Sequence, residues 1–174
     1  MSTTELQANG TFVADPVHSH VGFEVPYAVA TFSGEVTDFT ASLADGKLEG
    51  SAKIESITLK DETLQAHVLS PEFFDAERHP VLTFSGELVR DGGKAKVDGE
   101  ITMKGITQPA TLEGTIVGPA VDHFGATRVG LKLETVVDRT AFDMKWNMPL
   151  PNGEPALANE VTLKADLTRV ALVG

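Results

Sequence analysis

The chain has 174 residues, of which 41 % are hydrophobic and 22 % charged, and it carries a formal net charge of −11 and no cysteine. A chain of this length forms one domain that closes a core without covalent staples, and the absence of cysteine excludes disulfides, thiolate nucleophiles and thiolate metal sites. The acidic charge argues against a nucleic-acid partner, because a phosphate backbone repels such a surface.

The first ten residues read MSTTELQANG and contain neither the basic segment nor the apolar segment of a secretory signal. We interpret residues 1–10 as a flexible N-terminal tail and residues 11–174 as the folded domain. No run approaches the roughly 18 consecutive apolar residues of a membrane span, so no transmembrane segment is expected. The expected localisation is cytoplasmic, or periplasmic or secreted if the N-terminus has been trimmed.

Apolar and polar residues alternate along most of the chain with a period of two, which is typical of half-buried β-strands. In the first such segment, from Val17 to Val25, the apolar residues occupy the odd positions. Later segments repeat the pattern at 82–88, 94–104, 110–116, 128–134 and 161–167. One face of each strand is therefore expected to pack on a core and the other to meet solvent.

Two further strands, around residues 30–44 and 46–60, change the parity of their apolar positions midway. One extra residue in a strand moves every following side chain to the other face, so each change predicts a β-bulge. A third change follows Leu167 in the last strand. Bulges bend strands, and a sheet that closes on itself needs such bends.

These segments amount to about eight strands that short turns connect in sequence. They predict an all-β fold, an eight-stranded antiparallel β-barrel of lipocalin-like type. Residues 61–80 and 139–157 interrupt the pattern, and we expect them at the mouth of the barrel as lids or walls. Within 61–80, Ser70 as an N-cap and Pro71 in the first turn predict a short helix between strands 3 and 4.

Five glycines occupy inward-facing strand positions, where they supply no side chain to fill the interior: Gly34, Gly50, Gly86, Gly99 and Gly114. We predict an interior that is at least partly hollow, because an eight-stranded barrel is either filled or holds one small ligand. The alternative is that these glycines are kinks at barrel corners. An apolar tube suits an extended hydrocarbon, whose binding energy grows with buried apolar area.

The predicted lining of this tube consists of apolar side chains from the strands and from the two interrupting segments. They are Phe23, Val25, Phe32, Phe39, Leu48, Ile54, Leu64, Val68, Phe73, Phe74, Leu82, Phe84, Ile101, Met103, Leu112, Leu131, Leu133, Phe142, Trp146 and Leu163. Candidate contacts to a polar ligand head group are His18, Tyr27, His67 and Arg139. Arg139 matches phosphate geometry, although a structural ion pair with Asp138 is the alternative for this residue.

Two clusters of polar residues raise the alternative of catalysis. His18 and His20 share one face of a strand near Asp15, but no further strong metal ligand lies close in sequence. A second group supplies the residue types of a nucleophile, bases and an orienting carboxylate: Ser70, His67, His79 and Asp75. Because this group lacks a G-x-S-x-G turn, we predict no catalytic residues, no metal and no cofactor, and keep a histidine-metal enzyme as a distant alternative.

Several motifs occur in a fixed order along the chain. They are D-P-x-H-S…F at Asp15–Ser19 and Phe23, H-L-x-S-x-F-F-D at His67–Asp75, G-x-L-T-[ILM]-x-G-V-T-x-P at Gly99–Pro109, R-x-x-F at Arg139–Phe142, and the final strand at Glu160–Leu163. This order resembles the YceI-like polyisoprenoid-binding family of lipocalin-like bacterial proteins, over residues 11–172. The chain departs from the family pattern at Tyr27, where a histidine is usual, and at Asp143, where a glycine is usual.

The resemblance implies an eight-stranded antiparallel barrel with an apolar tunnel. It implies that the tunnel binds an isoprenoid quinone, a prenyl-diphosphate-like lipid, or a fatty amide or acid, and it suggests a homodimer. It carries no catalytic residues onto this chain. We therefore predict binding, storage or transport of a long apolar lipid. The alternatives are a filled barrel that acts as a stress or interaction protein, and a scavenger of lipophilic small molecules.

Overall fold

The computed structural model describes residues 12–15, 18–121, 123, 125, 127–147 and 150–171, without the side chains of residues 32 and 169–171. The strands are β1 (Phe12–Ala14), β2 (His20–Tyr27), β3 (Ala30–Val36), β4 (Phe39–Ala44), β5 (Lys47–Lys53), β6 (Ile57–Thr58), β7 (Val81–Asp91), β8 (Lys94–Met103), β9 (Ile106–Val121), β10 (Thr127–Asp138) and β11 (Glu160–Ala171). Helix α1 (Glu62–Leu69) lies between β6 and β7, and 3-10 helices span Ile54–Ser56 and Arg139–Phe142. The predicted tail, residues 1–10, lies outside the described residues.

The strand segments form one antiparallel sheet that closes on itself. Hydrogen bonds link them in the order β1-β4-β5-β7-β8-β9-β10-β11, and β11 pairs in turn with β1, where Ala171 lies opposite Phe12. β2 continues along the same edge of β11 as β1 and pairs with residues 162–166 of β11. β3 pairs with β2, and β6 pairs with β3. The segments β1 and β2, β3 and β4, and β5 and β6 are thus three interrupted passes of the chain. The antiparallel all-β barrel is confirmed, with eleven strand segments because these three passes are broken.

Two of the interruptions coincide with the predicted changes of parity, and they are bonded to each other. Residues 37–38 separate β3 from β4, and the 3-10 helix Ile54–Ser56 separates β5 from β6. The Asp38 amide donates to Ser56 Oγ at 3.0 Å, and the Lys53 amide donates to the Asp38 carbonyl at 2.9 Å. The two passes therefore bend together at one place in the wall, through a strand break and a 3-10 helix and not through the predicted β-bulges. The third predicted change, in β11, falls on side chains outside the described residues.

A short helix lies in the predicted segment, but the predicted N-cap is wrong, because Ser70 is the C-cap of the helix and Pro71 lies beyond it. Asp61 is its N-cap, and its carboxylate accepts hydrogen bonds from the amides of Thr63 at 2.8 Å and Leu64 at 3.2 Å. Ser70 follows the last helical residue, and its hydroxyl donates to the His67 carbonyl at 2.6 Å. Asp61 is a stronger start signal, because a carboxylate also interacts favourably with the N-terminal end of the helix dipole. No helix in the described parts of the chain has the length and apolarity needed to cross a membrane.

Apolar side chains fill the two ends of the barrel. The end next to the β4–β5 and β7–β8 turns, here called the closed end, contains Phe12, Val97, Val129 and Leu131, all fully buried. The opposite end, here called the lidded end, contains two clusters to which residues of 61–80 contribute. Buried and exposed residues alternate along β8 and most of β10, as the period of two predicts.

Candidate functional site

The interior of the barrel contains a cavity of about 140 Å³. Its lining includes members of the closed-end cluster and of both lidded-end clusters, so the cavity lies where these clusters meet. The lining is apolar except for Thr40, Ser51, Thr135 and Lys164. A largely apolar chamber of this kind takes an apolar group by burying its surface, not by hydrogen bonding.

The structure places many of the predicted lining residues on this cavity. They are Phe23, Phe39, Leu48, Ile54, Phe74, Leu82, Phe84, Ile101, Leu112, Leu133 and Leu163. Another group lies in the surrounding core: Val25, Val68, Phe73, Met103, Leu131, Phe142 and Trp146. The prediction is wrong for Leu64, which is 39 % exposed on the surface of α1, and the side chain of Phe32 lies outside the described residues. That any of these residues contacts a ligand stays a prediction.

Sequence reasoning missed part of the lining. The missed side chains are Val21, Val36, Ala41, Ala52, Ile57, Ala165 and Leu167. Each belongs to the apolar face of its strand, so the alternation that identified their neighbours contained the signal. Three of them, Ala41, Ala52 and Ala165, are small.

Three of the five inward glycines serve close approach of the backbone and do not open the cavity. A Cβ at Gly114 would overlap the Lys132 carbonyl, and a Cβ at Gly99 would overlap the Ser85 carbonyl. A Cβ at Gly86, which pairs with Gly99, would lie 2.8 Å from the nearest backbone oxygen. At these three positions the neighbouring strands approach too closely for a side chain.

The remaining two inward glycines differ from each other. The ring of Phe23 covers Gly34, whose Cβ would lie 2.6 Å from the ring. Gly50 lines the cavity, and the nearest atom to its Cβ position is the Thr40 carbonyl oxygen at 3.6 Å. The prediction that five glycines hollow the barrel is thus wrong for four of them. Among the five, Gly50 alone provides open space.

Two segments cover the lidded end, as the sequence analysis expected. We call residues 61–80 the helical segment and residues 139–158 the arginine loop. Trp146 of the loop contacts the segment, edge to face with His67 at a ring-centroid distance of 4.5 Å and tilted against Phe73 at 5.6 Å. At the same place the Lys104 ammonium, in the β8–β9 turn, bonds to backbone carbonyls of both covers.

The guanidinium of Arg139 organises the arginine loop from within. Nη1 donates to the carbonyls of Met144 at 2.7 Å and Trp146 at 2.8 Å, Nε donates to Ala158 at 2.8 Å, and Nη2 donates to Leu157 at 3.4 Å. The residue is 3 % exposed, and burial lowers the pKa of its guanidinium because desolvation disfavours the charged form. The Arg139 N–H donors bind backbone carbonyls of the arginine loop. Arg139 therefore has a structural role here in place of the predicted contact with a ligand head group.

Asp138 is the N-cap of the 3-10 helix that begins at Arg139. Its carboxylate accepts hydrogen bonds from the Thr140 hydroxyl at 2.6 Å and from the Thr140 amide at 2.9 Å. These bonds hold the pKa of Asp138 below its usual value, and the charge of Arg139 adds a smaller lowering. The alternative of an Asp138–Arg139 ion pair is thus reduced to a weak electrostatic contribution.

The other three head-group candidates lie at different places. His18 is at the outer surface, with Nδ1 at 2.7 Å from Asp15 Oδ2 and a side chain 62 % exposed. Tyr27 ends β2 beside the arginine loop, where it forms an isolated bridge with Leu157. His67 Nε2 lies 2.8 Å from Glu72 Oε2 at the surface of the helical segment. A head-group role for each of them stays a prediction.

Neither polar cluster weighed for catalysis assembles into a constellation. His20 points outward from β2, and no three His, Asp or Glu side chains among the described residues converge to hold a metal. The Ser70 hydroxyl donates to the His67 carbonyl and not to an imidazole. His79 packs its ring against Gly105.

Comparison with known proteins places this architecture in a family. The model of the YceI-like domain matches residues 12–169. A UPF0312 protein of Vibrio parahaemolyticus is 30 % identical over 129 residues, which cover 72 % of this chain and 68 % of that protein.

Two solved structures share the fold. The crystal structure of BcnA from Burkholderia cenocepacia superposes with a TM-score of 0.76 at 22 % identity, covering 89 % of this chain and 98 % of that one. A polyisoprenoid binding domain from Saccharophagus degradans superposes with a TM-score of 0.74 at 8 % identity, covering 94 % and 99 %. With the family model matched over nearly the whole barrel, this chain belongs to the YceI-like family.

Proposed function

We propose that this protein binds a long apolar lipid, an isoprenoid or acyl chain, in the interior of its barrel, and that it stores or carries the lipid without chemical conversion. The observation that carries the proposal is the cavity inside the barrel, whose lining is apolar on nearly every side. Each methylene buried there contributes about 0.8 kcal/mol to binding. Family membership supports the proposal, as does the shared fold of a domain described as polyisoprenoid binding.

Organic extraction of the purified full-length protein, followed by mass spectrometry, tests this function. A lipid in stoichiometric amount, with an isoprenoid or acyl chain, is the expected result. A clean extract together with no uptake of added geranylgeraniol would contradict the proposal. Sedimentation in the same preparation measures whether the protein is the homodimer that the family resemblance implies.

A large side chain added at Gly50 is expected to weaken binding of an apolar ligand in the cavity. Gly50→Leu places an isobutyl group in the cavity, because the nearest atom to the Cβ position is 3.6 Å away and the rest of the side chain extends into the open space. We expect binding of a small apolar probe such as benzene to weaken at least about tenfold, measured by calorimetric titration.

The matched control is Gly93→Leu, in the β7–β8 turn, where nothing lies within 4 Å of the Cβ position. This variant carries the same added side chain on the surface and is expected to bind benzene like the wild type. Equal affinities for both variants would show that benzene does not use the cavity.

A second candidate function is a barrel with a filled interior that acts through its surface, as a stress or interaction protein. It is favoured by the small volume of the cavity and by the four inward glycines that the backbone or Phe23 covers. The scavenging of small lipophilic molecules fits the same volume. The geranylgeraniol titration separates these functions from lipid binding, because a filled barrel takes up no long chain.

A further inference from the structure

The size of the cavity does not match the ligand proposed above. A cavity of about 150 Å³ holds a benzene molecule, and the chamber in this barrel has about 140 Å³. An isoprenoid or acyl chain is several times larger than benzene. If the proposed function is correct, some part of the lining must therefore move when a long chain binds.

One aromatic ring of the lining belongs to a cover and not to the wall. Phe23 and Phe84 line the cavity from strand positions that are paired on both sides, and Phe39 lines it from β4, where it lies opposite Ala52. Phe74 lines it from the helical segment, and its ring lies edge to face with Phe23 at a centroid distance of 6.1 Å. The backbone that carries Phe74 can therefore move without breaking the sheet, whereas the backbones that carry the other three rings are part of it.

The two covers are held by different contacts. The Arg139 guanidinium bonds the arginine loop to itself, and β2 and the residue after it bond to the last residues of the loop, with the Ala28 amide donating to the Ala156 carbonyl and the Ala158 amide donating to the Pro26 carbonyl. Three described hydrogen bonds leave the helical segment: Gln65 accepts one from the nearby Leu59 amide, Pro80 one from the Ile54 amide and Pro71 one from Lys104 in the β8–β9 turn. The first two lie near the ends of the segment, so among them the bond from Lys104 is the one that restrains its middle. Apolar contacts of the buried side chains of the segment add to this restraint.

The ammonium of Lys104 joins the two covers. Nζ donates to the Pro71 carbonyl at 2.7 Å and to the Asp143 carbonyl at 2.9 Å. Pro71 lies three residues before Phe74, so the bond from Lys104 restrains the turn that carries the Phe74 ring. Charge-assisted hydrogen bonds of this kind are roughly twice as strong as neutral ones.

We propose that Phe74 is a plug that occupies the position of the ligand chain, and that the bond from Lys104 to Pro71 adds to the cost of removing it. This proposal rests on the function proposed above. A small apolar molecule binds with the plug in place, whereas a long chain binds when the helical segment carries Phe74 out. The apparent affinity for a long chain is then the intrinsic affinity reduced by the small fraction of molecules that are open.

The test compares benzene with geranylgeraniol on the full-length wild type, Lys104→Met and Phe74→Ala. Calorimetric titration gives both affinities, and the fluorescence of Trp146, the single tryptophan of the chain, reports on the contact with the helical segment. In the wild type we expect geranylgeraniol to change the emission of Trp146 and benzene to leave it unchanged. Lys104→Met should tighten geranylgeraniol binding about five- to tenfold, because the closed state loses its tether, and should leave benzene binding unchanged.

Lys145→Met is the matched control, because Lys145 lies on the arginine loop with its Nζ 3.8 Å from Asp143 Oδ1 and no described bond to the helical segment. It should bind both molecules like the wild type. Phe74→Ala should tighten geranylgeraniol binding in the same direction as Lys104→Met, and if it does not fold, Lys104→Met decides alone. Equal geranylgeraniol affinity in Lys104→Met and the wild type, or binding with unchanged Trp146 emission, would overturn the plug while leaving lipid binding intact. A wild type that binds neither molecule would overturn the proposed function, and the plug with it.

Discussion

Replacing Arg139 by alanine is expected to lower the free energy of unfolding by about 4 kcal/mol. The substitution removes the donors for four carbonyls of the arginine loop, in a place where the side chain is 3 % exposed. A buried polar group left without a partner costs about 1–3 kcal/mol, and partial access of water to the loop reduces the sum. Urea denaturation followed by far-UV circular dichroism measures the change.

Two variants control this experiment. Arg139→Lys keeps the charge but lacks the planar fork that reaches several carbonyls at once, so we expect an intermediate loss of stability. Arg78→Ala removes an arginine that is 77 % exposed and lies 3.7 Å from Asp75, and we expect a change within about 0.5 kcal/mol. If the free energy of unfolding of Arg139→Ala lay within about 1 kcal/mol of the wild-type value, the structural role would be contradicted, and the contact with a ligand head group considered in the sequence analysis would be favoured.

Adding one methyl group at Gly114 is expected to destabilise the barrel by about 3 kcal/mol. Gly114 of β9 lies opposite Leu133 of β10, and a Cβ there would overlap the Lys132 carbonyl. The two strands would have to separate, which breaks ladder hydrogen bonds and disturbs the packing around Leu133. Overpacking of a well-packed interior typically costs about 1–3 kcal/mol. We expect the cost of Gly114→Ala at the upper end of this range, because the Lys132 carbonyl that it meets is backbone and cannot rotate away as a side chain can.

Gly50→Ala is the matched control for this change, since both glycines face inward on barrel strands. Its Cβ would be 3.6 Å from the nearest atom and would enter the cavity. We expect its free energy of unfolding to lie within about 1 kcal/mol of the wild type, because alanine also costs less conformational entropy in a strand than glycine. Comparable losses for Gly114→Ala and Gly50→Ala in urea denaturation would show that strand proximity is not the reason for the glycine at 114.

The strand pattern shows what kind of information the sequence carried. The parity of apolar residues in β7 to β11 predicted which side chains face inward, because alternation is a local property of an extended backbone. The changes of parity predicted the bends near 37–38 and Ile54–Ser56 for the same reason. No long-range contact had to be known for either result.

The glycines show where local pattern stopped being sufficient. Their inward orientation followed from parity, but their function depended on how closely the opposite strand approaches. Gly99 lies against the Ser85 carbonyl and Gly114 against the Lys132 carbonyl, while Gly50 meets open space. Those distances depend on the register and coiling of paired strands, which the residues within one strand do not encode.

The sequence located the two segments that cover the lidded end, but it did not predict the hydrogen bonds that hold them. Residues 61–80 and 139–157 broke the alternation, and composition alone identified them as covers. That Arg139 binds carbonyls as far along the chain as Ala158, and that Lys104 binds Pro71 and Asp143, required the folded chain. Side-chain donors act on whichever acceptors tertiary packing brings within reach.

By itself the sequence determined the class of fold, the faces of its strands, the places where they bend and the two segments that cover one end, since each of these follows from local periodicity and its interruptions. The tertiary structure alone decided the volume of the cavity, the glycine that opens it, the partners of Arg139 and the tether at Lys104. These depend on distances between residues far apart in the chain, and packing at close range is sensitive to shifts of less than the size of a methyl group.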